Sequence, residues 1–123
     1  MKTKQPRKQR RQLICGDLNR LKREMGAHLS KSLREKYKKR SITVRKGDDV
    51  KIMRGKFSSA TGVIERVDTV KGRIYIEGIQ VPKADGTKAK VGILPSNVMI
   101  TKLDLNDKRR IAAPAAKEKG AKE

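Results

Sequence analysis

The sequence predicts a mainly β protein: a small antiparallel barrel behind a short, helical, basic N-terminal extension, with a flexible C-terminal tail. Three observations predict it. From residue 42 onward, apolar and polar side chains alternate with a period of two, as half-buried strands require. Turn signals at Lys46-Gly47-Asp48, Val70-Lys71-Gly72 and Asp85-Gly86 separate the runs, and five or six short strands at roughly 8–12-residue spacing indicate a small barrel. Of the 27 Leu, Ile, Val and Phe residues, 20 fall within residues 42–105, so a core has material only there. The division that follows is 1–40 for the basic arm and short helices, 41–105 for the barrel, and 106–123 for the tail.

Charge is distributed the opposite way. The 123 residues include 33 Lys and Arg against 13 Asp and Glu, a formal net charge of +20. Residues 1–46 carry +14 of it, residues 47–103 carry +4, and residues 104–123 carry +2. A field this one-sided opposes compaction unless a polyanion neutralises it. Nucleic acid is the expected partner, with an anionic membrane surface the weaker option. No apolar run approaches the roughly 18–20 residues that span a bilayer, and no apolar segment follows the basic N-terminus to make a secretory signal. One cysteine, Cys15, excludes an internal disulfide, and one histidine, His28, leaves too few ligands for a closed zinc site. A reducing compartment and a packed Cys15 thiol are the simplest expectation.

Residues 1–12 hold Lys2, Lys4, Arg7, Lys8, Arg10 and Arg11 and no acid, so this run is expected to be disordered until it meets a polyanion. Residues 17–37 read as two helices. Asp17 is the expected N-cap of the first, with Leu18 and Leu21 starting its apolar stripe, and Gly26 interrupts it. The second starts near Ser30 or Ser32, and Ser32 with Glu35 has the spacing of a capping box. Leu29, Leu33 and Tyr37 share one face of it, while Lys31, Arg34 and Lys38 face away. His28 reads as a surface or capping residue. After Lys38-Lys39-Arg40 come β-branched residues, and strand begins. The alternating pairs Val50/Ile52, Val63/Val67, Ile74/Ile76, Val91/Ile93 and Val98/Ile100 predict five or six short strands with the turns already named. Residues 106–123, rich in Ala and Lys, read as a flexible tail with no site.

No catalytic constellation emerges, and no cofactor is expected. Asp48 and Asp49 are read as turn formers rather than metal ligands. The segment Arg54-Gly55-Lys56-Phe57-Ser58-Ser59-Ala60-Thr61-Gly62 lacks the ending and the following helix of a nucleotide-binding phosphate loop. It does combine cations, hydroxyls and glycines in a loop between strands, a set that can grip phosphate oxygens. The aromatic residues are Tyr37, Phe57 and Tyr75. Three rings cannot build the stacking platform of single-strand readers, so contact with phosphates, sugars and the shape of folded RNA is expected. Tyr37 and Tyr75 are assigned to packing, and Phe57 is the candidate wedge.

The stretch Val44 to Gly78 resembles a KOW motif, on Lys46-Gly47-Asp48, Val50, Arg54-Gly55, Gly62-Val63 and Ile76-Glu77-Gly78. Its flanks, HLSKSLREKYKKRSITVRKGD before it and KADGTKAKVGILPSNVMITKLDLNDKRR after it, resemble the archaeal and eukaryotic branch of the large-subunit ribosomal protein numbered twenty-four in the universal scheme. The resemblance implies an SH3-like barrel with no enzymatic activity. It implies binding to large-subunit rRNA near its 5′ end, a place close to the opening of the peptide exit tunnel, a part in early assembly, and a cytoplasmic, ribosomal location. The implied partners are rRNA and neighbouring large-subunit proteins, with no stable homo-oligomer. RNA-contacting positions carried over are the basic arm, Lys38, Lys39, Arg40, Arg45, Lys46, the loop with Arg54, Gly55, Lys56, Phe57, Ser58, Ser59 and Gly62, and Pro95-Ser96-Asn97, where Ser96 and Asn97 are the contacts. Lys31, Arg34, Lys88 and Lys90 complete the candidate RNA-binding set. The family usually has Lys-Gly where this chain has Ser58-Ser59, which removes a cation and a flexible backbone unit. A KOW-type transcription elongation or RNA-chaperone protein is the alternative reading.

Overall fold

A computed structural model describes residues 3–107 and Arg110. The elements in chain order are helix α1 (Pro6–Ile14), helix α2 (Leu18–Glu24), strand β1 (Gly26–Leu29), helix α3 (Lys31–Tyr37), and strands β2 (Ser41–Thr43), β3 (Asp49–Ile52), β4 (Thr61–Asp68), β5 (Arg73–Pro82) and β6 (Lys88–Ile93). A 3-10 turn (Pro95–Asn97) and strand β7 (Val98–Lys102) complete the order. The seven strands form one sheet in the order β2-β1-β7-β3-β4-β5-β6. The architecture is mainly β and matches a small SH3-like barrel, but the sheet is mixed and its two ends are not paired into a closed cylinder.

Strands β3 to β7 stand where the alternation puts them. The turns leading into and between them use glycine where φ must be positive: Gly47, ahead of β3, at +91°, Gly72 at +63° and Gly86 at +77°. In β5 the inward set is Ile74, Ile76 and then Ile79, a spacing that breaks the period of two. Gly78, at φ +80°, absorbs the extra residue where the pairing with β6 shifts register, so one long strand can turn a corner and keep the core covered. Gly62 is needed for another reason. A Cβ built there would lie 2.7 Å from Ile76 Cγ2 and 2.9 Å from the Glu77 carbonyl oxygen, closer than real contacts allow. Its absence lets β4 cross close to β5.

The core gathers Met25, Ala27, Leu29, Val44, Val50, Ile52, Ile64, Ile74, Ile76, Ile79, Ile93, Val98 and Ile100. Each buried aliphatic side chain contributes roughly 1.5–3 kcal/mol relative to exposure. Three core members come from the N-terminal extension, and that is the first correction to the sequence reading. Residues 26–29, read as the break between two helices, form a strand. Met25, Ala27 and Leu29 are buried while His28 is exposed. Strand β1 pairs antiparallel with β2 and parallel with β7, His28 opposite Met99 and Leu29 opposite Ile100. The expected boundary at residue 40 therefore does not separate extension from sheet, and an all-antiparallel barrel becomes a mixed sheet of seven strands.

Four smaller corrections concern the extension. Residues 6–14 are helical, not disordered. Pro6 presets φ at the first helical position, and Gln, Arg and Lys are good helix formers. Leu21 is buried but Leu18 is 67% exposed, so the apolar stripe of α2 is one residue wide. Helix α3 is capped by position at Ser30, with Ser32 inside it and no side-chain capping bond, so the capping box does not form. Cys15 is exposed at the C-terminal end of α1 rather than packed.

The last correction lies at the other end. Arg110, in the segment read as a flexible tail without a site, is 6% exposed, and Asp48 is 0% exposed. Arg110 Nη1 donates to Asp48 Oδ1 at 2.6 Å, and Nη2 donates to Asp48 Oδ2. The same carboxylate accepts from the backbone N–H groups of Arg45 (2.9 Å) and Asp104 (3.1 Å). Asp48 does shape a turn, and it also anchors the returning C-terminal segment through a buried ion pair. Residues 108, 109 and 111–123 of the expected tail lie outside the described residues.

Candidate nucleic-acid interface

The loop after β3 is compact. Ser58 N–H donates to the Gly55 carbonyl (3.0 Å), Ala60 N–H to Phe57 (3.1 Å), Ser59 N–H to Ile52 (2.9 Å) and Ile52 N–H to Ala60 (2.8 Å). Arg54, Gly55, Lys56, Ser58 and Ser59 are exposed. Gly55, at φ +96°, has no atom within 4 Å of its would-be Cβ, so a ligand backbone can approach it closely. Phe57 is half-buried and packs against the core rather than standing free at the loop tip. Ser59 holds φ +70° without being glycine. Met53 N–H donates to the Asn97 carbonyl at 2.8 Å. That bond sets the Arg54–Lys56 loop beside exposed Ser96 and half-buried Asn97, so two stretches distant in sequence share one end of the sheet.

Other candidates are spread over separate surfaces. Lys4, Arg7, Lys8, Arg10 and Arg11 are exposed on or beside α1, while Lys2 lies outside the described residues. Lys31 is exposed on α3, and Arg34 is tied down by Nε donating to the Leu29 carbonyl at 2.7 Å. Lys38 caps α3 in the left-handed conformation, φ +50°. Arg40 is exposed and Lys39 half-buried. Arg45 pairs with Asp107 and Lys90 with Glu65. Both pairs are substantially exposed, so each is worth no more than about 1 kcal/mol and can be traded for a phosphate. Lys88 is exposed at the start of β6. Gly62, partly exposed, sits where β4 passes close to β5, as described.

The structure also adds residues that sequence reasoning missed. A groove of about 680 Å³ is lined by Lys22, Arg45, Lys46 and Arg66, with Glu65 as its single acid, over a floor that includes Met25, Val44 and Val67. Lys22 had a usable signal, a basic residue in the last turn of α2 ahead of an apolar one. Arg66 had none, because a lone cation on the polar face of a strand is common. Its guanidinium lies 6.0 Å from the Tyr75 ring, and Lys36 Nζ lies 5.5 Å from Tyr37, so both half-buried tyrosines already have cationic neighbours. Among the described residues, no group of His, Cys, Asp and Glu could hold a metal ion, and no helix is long and apolar enough to cross a membrane.

Taken together, the open SH3-like sheet and the exposed cations at its loops and edges define a small basic β module with a helical extension. The ribosomal protein family described as L26 in eukaryotes, and numbered twenty-four in archaea, matches residues 3–117. The chain belongs to that family. It is a structural ribosomal protein of a kind that is in general non-enzymatic, works in the ribosome, and has rRNA and other ribosomal proteins as partners.

Proposed function

We propose that this chain binds large-subunit rRNA through backbone phosphates and the shape of folded RNA, early in assembly and near the opening of the peptide exit tunnel. The observation that supports this most is electrostatic. The net charge is +20, and ion pairs engage Arg45, Lys90, Lys102 and Arg110. Exposed cations stand beyond these on α1, on the Arg54–Lys56 loop and along the edges of the sheet. Phosphate contacts orient a protein on RNA without aromatic platforms, which suits a surface whose three aromatic rings are all partly packed.

The test is the salt dependence of binding between the full chain and a large-subunit rRNA fragment. If about ten cations engage phosphates, log affinity falls against log salt with a slope of roughly −7 to −9. A slope shallower than about −3 would mean that the charge is mostly solvated. Recovery of RNA polymerase instead of ribosomes in a pull-down would favour the elongation reading.

A further inference from the structure

A second groove, of about 360 Å³, lies where the end of α2, strand β2 and Arg110 meet. Among the described residues its charged lining is cationic: Arg23, Lys39, Arg45 and Arg110. Arg23 and Arg110 carried no role in the sequence reading. Asp48 and Asp107 offset Arg110 and Arg45, and an anion seated in the depression is attracted by the cations that line it.

Arg110 supplies an independent reason. Its Nη1 donates to Asp48 Oδ1 and to the Asp104 carbonyl, and its Nη2 donates to Asp48 Oδ2 and to the Thr43 carbonyl. Those bonds use the four N–H groups at the end of the guanidinium. The fifth donor, Nε–H, is buried and has no hydrogen-bond partner among the described residues. An unsatisfied buried donor costs about 1–3 kcal/mol, more when charged, and such a group in a native fold calls for an acceptor.

We propose that this groove is an oxyanion site that takes a phosphate of an RNA backbone, with the unpartnered Nε–H of Arg110 and the charges of Arg23 and Lys39 as its recognition elements. The proposal deepens the RNA-binding reading and rests on it. Arg45 joins by exchange: its ion pair with Asp107 is about two-fifths exposed on both sides, so phosphate competes with that carboxylate at small cost. Asp48 stays neutralised by Arg110 and does not repel the ligand. The site couples RNA binding to the C-terminal segment, because the residue that presents Nε–H is the one that fastens that segment to the sheet.

Two measurements on the full chain test this. In an arginine Nε–Hε NMR titration, inorganic phosphate is expected to shift the Arg110 resonance saturably, whereas acetate at equal ionic strength does not. No saturable shift, or an equal response to acetate, would overturn the site or assign it to an acidic protein. The second measurement uses Arg23→Gln, an exposed position whose replacement leaves the Asp48–Arg110 pair intact. Binding to the rRNA fragment should lose about 0.7–0.9 of salt slope, or roughly sixfold in affinity at 0.1 M salt. An unchanged slope in this variant, with wild-type binding normal, would sink the groove while leaving the RNA reading standing. Wild-type protein that ignores the fragment would defeat the RNA reading and restrict the groove to free phosphate.

Discussion

Replacing Arg110 with Met tests the buried ion pair directly. Met fills much of the same volume but leaves Asp48, 0% exposed, as a buried carboxylate with only the Arg45 and Asp104 backbone N–H groups to serve it. Removing one partner of a buried pair costs about 3–5 kcal/mol, because the remaining charge keeps its desolvation penalty. For a domain near 100 residues each kcal/mol shifts Tm by roughly 4–8 °C, so a fall of about 12 °C or more is expected. Urea unfolding followed by circular dichroism reads the same loss as a lower midpoint with an unchanged m-value. Adding Asp48→Asn to the Met variant removes the stranded charge and should recover at least about 1 kcal/mol, a coupling that independent sites would not show. A loss below about 1 kcal/mol for Arg110→Met would refute the reasoning, since it would mean that the pair is solvated or that Arg110 does not reach the turn.

Gly62→Ala should destabilise by about 1–3 kcal/mol in the same assay, because its Cβ meets the Glu77 carbonyl oxygen as well as a side chain; a neutral result would contradict the close crossing of β4 and β5. Ser59→Gly should stabilise by about 0.5 kcal/mol, the left-handed cost of a non-glycine residue less the extra entropy of an unfolded glycine, again read from the urea midpoint. Deleting residues 1–12 should reduce the salt slope of rRNA binding by several units, and Lys56→Gln by about one, with fold stability unchanged for the latter. Ser58→Lys should steepen the slope by about one if the loop faces phosphate.

Much of the sheet could be read in advance because β3 to β7 combine three agreeing signals: alternation, glycine turns at Gly47, Gly72 and Gly86, and β-branched composition. Strand β1 escaped because it is four residues long, and Leu29, Leu33 and Tyr37 satisfy a helical spacing equally well. Its parallel partner, β7, lies at the far end of the chain, and no local pattern encodes a pairing so remote. Helix α1 escaped because it buries nothing, leaving no apolar stripe to see, only Pro6 and its long polar side chains. The exposed cations of the Arg54–Lys56 loop were legible from composition and turn chemistry. Its orientation was not, because Phe57 serves the core where a loop-tip aromatic suggests a ligand contact. Arg110 was invisible for a related reason. One buried arginine in an Ala- and Lys-rich stretch makes no periodic signal, and Asp48 was already accounted for as a turn residue.

The most direct test of the central claim is a protein–RNA cross-linking map of the chain on purified large subunits. The chain should be present there at stoichiometric level, with cross-links to rRNA from α1, from Arg40 to Lys46, from the Arg54–Lys56 loop and from Ser96-Asn97. Large subunits complete without the chain, or cross-links from these positions to proteins alone, would contradict the claim.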